Sequence, residues 1–391
     1  MYRSQFLPQA DFVGAMRFFP ESGNSITFQD GSEWLKTGLV KNKTGYNIAS
    51  ITPSLQVLGI ASTGTVPTGI TDWAHNGSGT IVVVTGSDAT NVHVSTDYGV
   101  TWSAVAHNLT VAACGVAYNG TTWIVVGNDA TTFKISSSTA PTTTWTPRTS
   151  PTAFSGGTSN TASAAWDVTA GKFVVVAGGG TANFAAYSAN GTTGWTAVNL
   201  ATSLGANPVS VRASGSGAFV AVSQGTNTTQ KSSDGITWTN GGTNIAGSRL
   251  TYALGGFIRV YSSTNGYVYK STDGGTTWST ISSTNTGEGG FGGGFTPISG
   301  DATTLMVIGK MPSTWMISSD GVNFSQKWTR GAGYPIYLGG NKAIGSDGYY
   351  TPDITGCDYI GTSKLIYTGS SMAVGGDITT SSAVGYVKIK G

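Results

Sequence analysis

The chain has 391 residues, a formal net charge of +2 and only 10% charged residues, where a soluble domain carries about a quarter. Glu occurs only at Glu21, Glu33 and Glu288, which excludes long salt-bridged helices, and 39% apolar with 10% aromatic residues excludes disorder. With 58 glycines, what remains is an all-β protein of short strands and tight turns.

In chain order, residues 1–60 come first and follow no period. They hold Phe12, Phe18, Phe19, Phe28 and Trp34 and are expected to form a small β-rich extension for attachment or oligomerisation. The alternative is a plain β-extension packed on the following domain. From about residue 65 a cassette recurs: a short β-branched burst, a second strand of polar alternation, then a turn that ends in an aromatic residue. The bursts are Val82–Val84, Ile124–Val126, Val174–Val176, Phe219–Val222, Phe257–Val260 and Leu305–Ile308. The closing aromatics are Trp102, Trp145, Trp195, Trp238, Trp278 and Phe324, spaced by 43, 50, 43, 40 and 46 residues. A unit of this length with four short strands is the size of one propeller blade.

The turns explain the residue types. Ser95, Asp97, Gly99 and Trp102 recur as Ser271, Asp273, Gly275 and Trp278, with shorter or weaker copies at Asp234 and Trp238, Asn190 and Trp195, and Asp320 and Phe324. An Asp carboxylate accepts from backbone N–H groups just ahead of it, Ser does so more weakly, and Gly supplies the positive φ of the reversal. The Trp ring is expected to fold back and seal the edge of its own sheet. These residues resemble the Asp-box, or BNR-repeat, pattern Ser-x-Asp-x-Gly-x-Thr-Trp, over about residues 65–330. The resemblance implies a β-propeller of six, seven or eight blades, with the box between the third and fourth strands of each blade. It is nearly silent about function.

A seventh, atypical blade is expected from Gly333–Leu338 through Lys342–Gly348. Ring closure by strand exchange is expected from Leu55–Ile60 or Lys364–Gly369. Seven blades is the expected number, with six and eight as alternatives, and the propeller is taken as 61–391 including the C-terminal strand. The run Gly31–Gly38 resembles a segment near the start of phage tail-fibre and tail-tip proteins. The ending Val384–Lys390 resembles the endings of phage structural proteins. Together these imply a virion component.

Lys and Arg are scattered, so no nucleic-acid partner is expected. No apolar run approaches 18 residues, so no membrane insertion is expected, and Met1–Pro8 lacks the apolar core of a secretory signal. Cys114 and Cys357 read as buried thiols rather than a disulfide scaffold. His75, His93 and His107 show no ligand spacing and read as solvated or core-edge side chains. No metal and no cofactor is expected.

Within the resemblance, sialidase chemistry implies a three-arginine clamp. Arg212, Arg249, Arg259 and Arg330 lie within the propeller, but the Phe/Tyr-Arg-Ile-Pro motif is missing and Glu288 alone is available to polarise a Tyr. A two-carboxylate glycosidase would draw on Asp72, Asp88, Asp129, Asp167, Asp301, Asp353 and Asp358, whose spacing selects no pair. The inner strands instead carry Trp73, Tyr118, Trp166, Arg212, Tyr252 and Tyr337, a set suited to gripping sugar faces, though rings at such positions also fill blade interfaces.

The expected function is a phage tail or tail-tip protein that recognises a host surface glycan without catalysis. It would associate with other virion proteins and with copies of itself through residues 1–60. The alternatives are a surface-polysaccharide glycosidase or depolymerase, and a purely structural virion component.

Overall fold

The six apolar bursts become the second strand of six sheets, each with four consecutive antiparallel strands, and a seventh sheet follows them. The computed structural model describes residues 60–151, 159, 161–179, 184–205, 209–223, 228–242, 250–261, 267–282, 298–308, 314–328, 335–340, 342–345 and 349–351, together with the strands Met16–Pro20, Ser25–Thr27, Ser32–Leu35, Val40–Asn42 and Ala383–Val387. The chain divides into two compact units, one of residues 60–354 and one of residues 1–59 with 355–391.

The larger unit is a β-propeller of seven blades. Its innermost strands are Asp72–His75, Ala113–Tyr118, Ser163–Asp167, Val209–Ala213, Thr251–Ala253, Ile298–Gly300 and Pro335–Gly339, which number blades 1 to 7. In the seventh blade the outer strand is Ile60–Ala61, paired antiparallel with Tyr349–Thr351, so the start of the unit closes the ring. Just downstream, Thr63–Gly64 runs parallel to Thr101–Ala106 and adds a fifth strand to blade 1.

The core lies between the blades. Each second strand is apolar along its whole length because each of its faces meets a different neighbour. Val82 and Val84 of blade 1 pack toward blade 2, whereas Ile81 and Val83 pack toward blade 7. In blade 3, Phe173 and Val175 face blade 2 while Val174 and Val176 face blade 4. Seven such clusters, one for each neighbouring pair, complete the circuit.

The recurring turn lies between the third and fourth strands. In blade 1, Ser95 Oγ accepts from Gly99 N–H at 2.8 Å, and Asp97 accepts from Thr101 N–H at 2.8 Å and Thr101 O–H at 2.7 Å. Asn190 does the same with its carbonyl, accepting from Thr192 and Thr193 N–H at 2.8 and 2.9 Å. In blade 6, Asn323 stands in for the Thr hydroxyl, and its Nδ2 donates to Asp320 Oδ2 at 2.7 Å.

The closing aromatic does not seal the edge of its own sheet. Trp102 joins the cluster with blade 7, Trp145 that with blade 1, Trp238 that with blade 3, and Trp278 packs against the blade 4 cluster. Trp195 and Phe324 likewise pack against the junction with the preceding blade. The glycine of the turn explains why. Gly235, at φ +74°, leaves so little room that a Cβ would come within 2.6 Å of Val174 in blade 3. The turn thus bends over the preceding blade, and ring and glycine latch the two sheets together.

The smaller unit has a three-stranded antiparallel sheet of Ser25–Thr27, Ser32–Leu35 and Val40–Asn42, and an antiparallel pair of Met16–Pro20 with Ala383–Val387. The C-terminal strand therefore belongs with the N-terminal segment rather than with the propeller. The reason is topological, because Ile60–Ala61 already fills the outer position of the seventh sheet.

Candidate functional site: an axial cavity ringed by aromatic residues

An innermost strand is the edge of its sheet, so N–H groups that its own ladder leaves free need acceptors from elsewhere. Neighbouring blades supply them. Asp72 Oδ2 accepts from Val116 N–H at 3.3 Å, Ser163 Oγ from Val211 N–H at 3.2 Å, Ser210 Oγ from Leu250 N–H at 3.3 Å and Ser299 Oγ from Tyr337 N–H at 2.9 Å. These bonds fix the positions of the inner strands around the axis.

At the C-terminal ends of those strands lies a cavity of about 400 Å³. All seven blades contribute to it: Trp73, Ala74 and His75 from blade 1, Tyr118 from blade 2, Trp166 from blade 3, Arg212, Ala213, Ser214 and Gly215 from blade 4, Thr251 and Tyr252 from blade 5, Ser299 and Gly300 from blade 6, and Tyr337 from blade 7. Because the first and third strands of a blade run parallel, the cavity shares its face of the propeller with the Ser-Asp-Gly turns.

The six side chains singled out in the sequence all line this one cavity. Three rings are braced from behind by an aromatic on the second strand. Tyr118 stacks on Trp123 with centroids 4.0 Å apart and planes 23° apart, Trp166 tilts against Phe173 at 4.8 Å, and Tyr252 meets Phe257 edge-on at 5.0 Å. The bracing rings are buried, whereas Tyr118, Trp166 and Tyr252 are half-buried. Tyr337 differs: it is buried and shares a cluster with Trp315 and Ala343, so it also serves the junction of blades 6 and 7.

Arg212 makes the polar anchor of the cavity. Its guanidinium donates to Asp72 Oδ1 at 2.7 Å and to the Val211 carbonyl at 2.8 Å. Asp72 is wholly buried and also accepts from Trp73 N–H at 3.0 Å. Blades 1 and 4 stand as far apart in the ring as two blades can, so this ion pair bridges the axis.

Sequence reasoning did not select His75, Ser214, Thr251 or Ser299 as lining. The signal was proximity: His75, Ser214 and Thr251 lie within two residues of Trp73, Arg212 and Tyr252, whereas no side chain was selected on the blade 6 strand that carries Ser299. Buried His75 Nδ1 has no hydrogen-bond partner. Burial holds the His75 pKa below its ordinary value, against the opposing pull of Asp301. The other two histidines are structural: His93 Nδ1 lies 3.0 Å from the Thr65 carbonyl, and His107 Nδ1 accepts from Leu109 N–H at 3.0 Å.

The remaining carboxylates in described segments are held by backbone amides. Asp167 accepts from Thr169, Ala170 and Gly217 N–H, Asp88 from Thr90 and Asn91, Asp129 from Thr131 and Thr132, and Asp301 from Thr303 and Thr304. Asp353, Asp358 and Glu288 lie outside the described residues, as do Arg249, Arg330 and Cys357. Arg259 is buried in blade 5, donates to the Ser223 carbonyl at 2.8 Å and is lowered by desolvation to about 10. It does not line the cavity with Arg212. Cys114 is buried, with its thiol 3.9 Å from Asn128 Oδ1. Among the described residues no three His, Cys, Asp or Glu side chains come together as a metal site.

A family model described as the DUF6242 beta propeller domain matches residues 144–333, a little less than half of the chain. Among curated proteins, none matches the sequence. Solved structures do. A streptogramin B lyase structure aligns with a TM-score of 0.55 at 10% identity, over 75% of this chain and 95% of that one. YCF48 bound to D1 peptide aligns at 0.53 and 14% identity, over 75% and 94%. Virginiamycin B lyase from Staphylococcus aureus aligns at 0.53 and 10% identity, over 75% and 97%. At such identities the likeness extends to the fold alone, and with the sheets described above it establishes an all-β chain built on a single β-propeller.

Proposed function

We propose that this chain is a host-recognition component of a bacteriophage tail or tail tip, and that it binds a surface glycan in the axial cavity without catalysing a reaction. The observation that carries the reading is the convergence of Trp73, Tyr118, Trp166 and Tyr252 with hydroxyl and backbone groups on one cavity of about 400 Å³. Sugar rings present apolar C–H faces and equatorial hydroxyls, and rigid aromatic faces beside short polar groups match both. The absence of any Asp or Glu among the described residues lining the cavity supports binding without chemistry, since a two-carboxylate mechanism needs both groups at the ligand. The tail assignment draws its support from the likeness of Gly31–Gly38 and Val384–Lys390 to phage tail sequences. Residues 1–60 serve in this reading as the attachment and self-association segment, where repeated copies turn weak single contacts into avidity.

Calorimetric titration of the full chain with host surface polysaccharide tests the reading. Saturable binding is expected, without release of reducing ends. Trp166→Ala or Tyr252→Ala should weaken it by about tenfold, the loss of roughly one stacking contact. Binding that ignores both substitutions would remove the cavity from the function, and release of oligosaccharide would replace the binding reading with an enzymatic one.

A further inference from the structure

The cavity has one charged lining residue among those described, and that charge is already occupied. Arg212 is 2.7 Å from Asp72 Oδ1, and Asp72, one residue deeper on its strand than Trp73, is fully buried. An incoming carboxylate would have to compete with a preformed, dehydrated partner that is also fixed by Val116 and Trp73 N–H. Among the described lining residues there is no second Lys or Arg, and burial lowers the pKa of His75 against the opposing pull of Asp301. The same ion pair spans the ring from blade 4 to blade 1 at the inner end of the cavity. A volume of about 400 Å³ falls near the lower end of the usual range for small-ligand cavities, about 300–1,000 Å³. That is room for the end of a chain rather than for a chain passing through.

We infer that the axial cavity takes the uncharged terminal one or two sugars of a glycan and discriminates against glycans that end in an acidic sugar. The inference rests on the carbohydrate-binding reading and adds to it a chemical class and a direction of entry. Asp72 acts here as a positioning residue: it fixes Arg212 and cancels its charge, and the neutral hydroxyls of the ligand meet the guanidinium edge, the Ser and Thr hydroxyls and the aromatic faces.

The test is binding of the full chain to a printed panel in which each neutral-ended glycan is paired with its sialylated or glucuronylated counterpart. Neutral ends should bind more tightly than their acidic counterparts by about tenfold or more. Equal or tighter binding of the acidic members would overturn the inference while leaving glycan binding intact, and no binding to either set would overturn both. Asp72→Asn, checked for folding by thermal melting, releases the Arg212 charge and should shrink the gap toward parity. Should that variant fail to fold, Arg212→Gln leaves Asp72 as a bare carboxylate and should widen the gap; a gap that narrows instead contradicts the assignment.

Discussion

At the rim of the propeller, Asp273 has its carboxylate filled by Thr276 and Thr277, and Trp102 is only 4% exposed between blades 7 and 1. At the axis, Trp73, Tyr118 and Trp166 are half-buried around a cavity, and Asp72 reaches across the ring to Arg212. The same residue types therefore do different work at the two radii. Rim residues satisfy backbone amides and latch each blade to the one before it. Axial residues leave ring faces and hydroxyls over, because the inner strands have neighbours on their two sides and none in front.

That comparison can be broken or sharpened by substitution. Trp102→Ala should have the largest effect, a loss of about 3–5 kcal/mol in urea unfolding, as for any large aromatic removed from a core. It should leave the ligand affinity of the folded protein unchanged; a fall in affinity would mean that the rim takes part in binding. Asp72→Ala should cost about 3 kcal/mol, since it strands a partly buried guanidinium and the Val116 N–H, and unlike Trp102→Ala it should also alter binding. Gly235→Ala should cost about 2 kcal/mol, the sum of a side chain at positive φ and an overlap with Val174. A negligible cost there would show that the latch has slack.

The smallest effect is titration, and it separates the regions by pH. His75 and His107 have lowered pKa values, so the unfolded chain takes up protons below the ordinary histidine value while the folded chain does not. Stability should begin to fall as pH drops below about 6.5. The rim carboxylate of Asp273 is partly desolvated, which raises its pKa, but the Thr277 hydroxyl and N–H outweigh that and hold it at about 2. Its contribution is present above the ordinary carboxylate range and is lost as pH falls from about 4 to 2. A melting-temperature profile from pH 7 to 2 should show both stages, and His75→Gln should diminish only the upper one.

The repeat made the fold legible. A period set by Trp102, Trp145, Trp195, Trp238, Trp278 and Phe324 gave blade size, and each burst between them marked a second strand. The chemistry of the turn was legible too, because Ser95 and Asp97 bond within five residues of themselves. What the turn packs against was not, since Trp238 meets blade 3 only once the ring is assembled. The cavity was half legible. Aromatic side chains stand out on inner strands, whereas Ser214, Thr251 and Ser299 look like any polar residue in a chain rich in Ser and Thr. The bond from Arg212 to Asp72 joins positions 140 residues apart and follows only from ring closure. The pairing of Met16–Pro20 with Ala383–Val387 joins segments more than 360 residues apart and left no local signal, so the expectation that the C-terminal strand belongs to the propeller missed it.

The closing strands also decide how the molecule meets a mechanical load. Met16 pairs with Val387 and Ile60 with Tyr350, so in both clasps the two outgoing chain ends leave from the same end of an antiparallel pair. Tension applied through the termini peels such pairs one hydrogen bond at a time. Beyond them, Thr63–Gly64 lies parallel to Thr101–Trp102, and the bonds from Thr63 N–H to the Val100 carbonyl and from Thr65 N–H to the Trp102 carbonyl take the pull together, in shear. A force–extension record should show low-force opening of both clasps and resist more strongly where the N-terminal side reaches the parallel pair of blade 1.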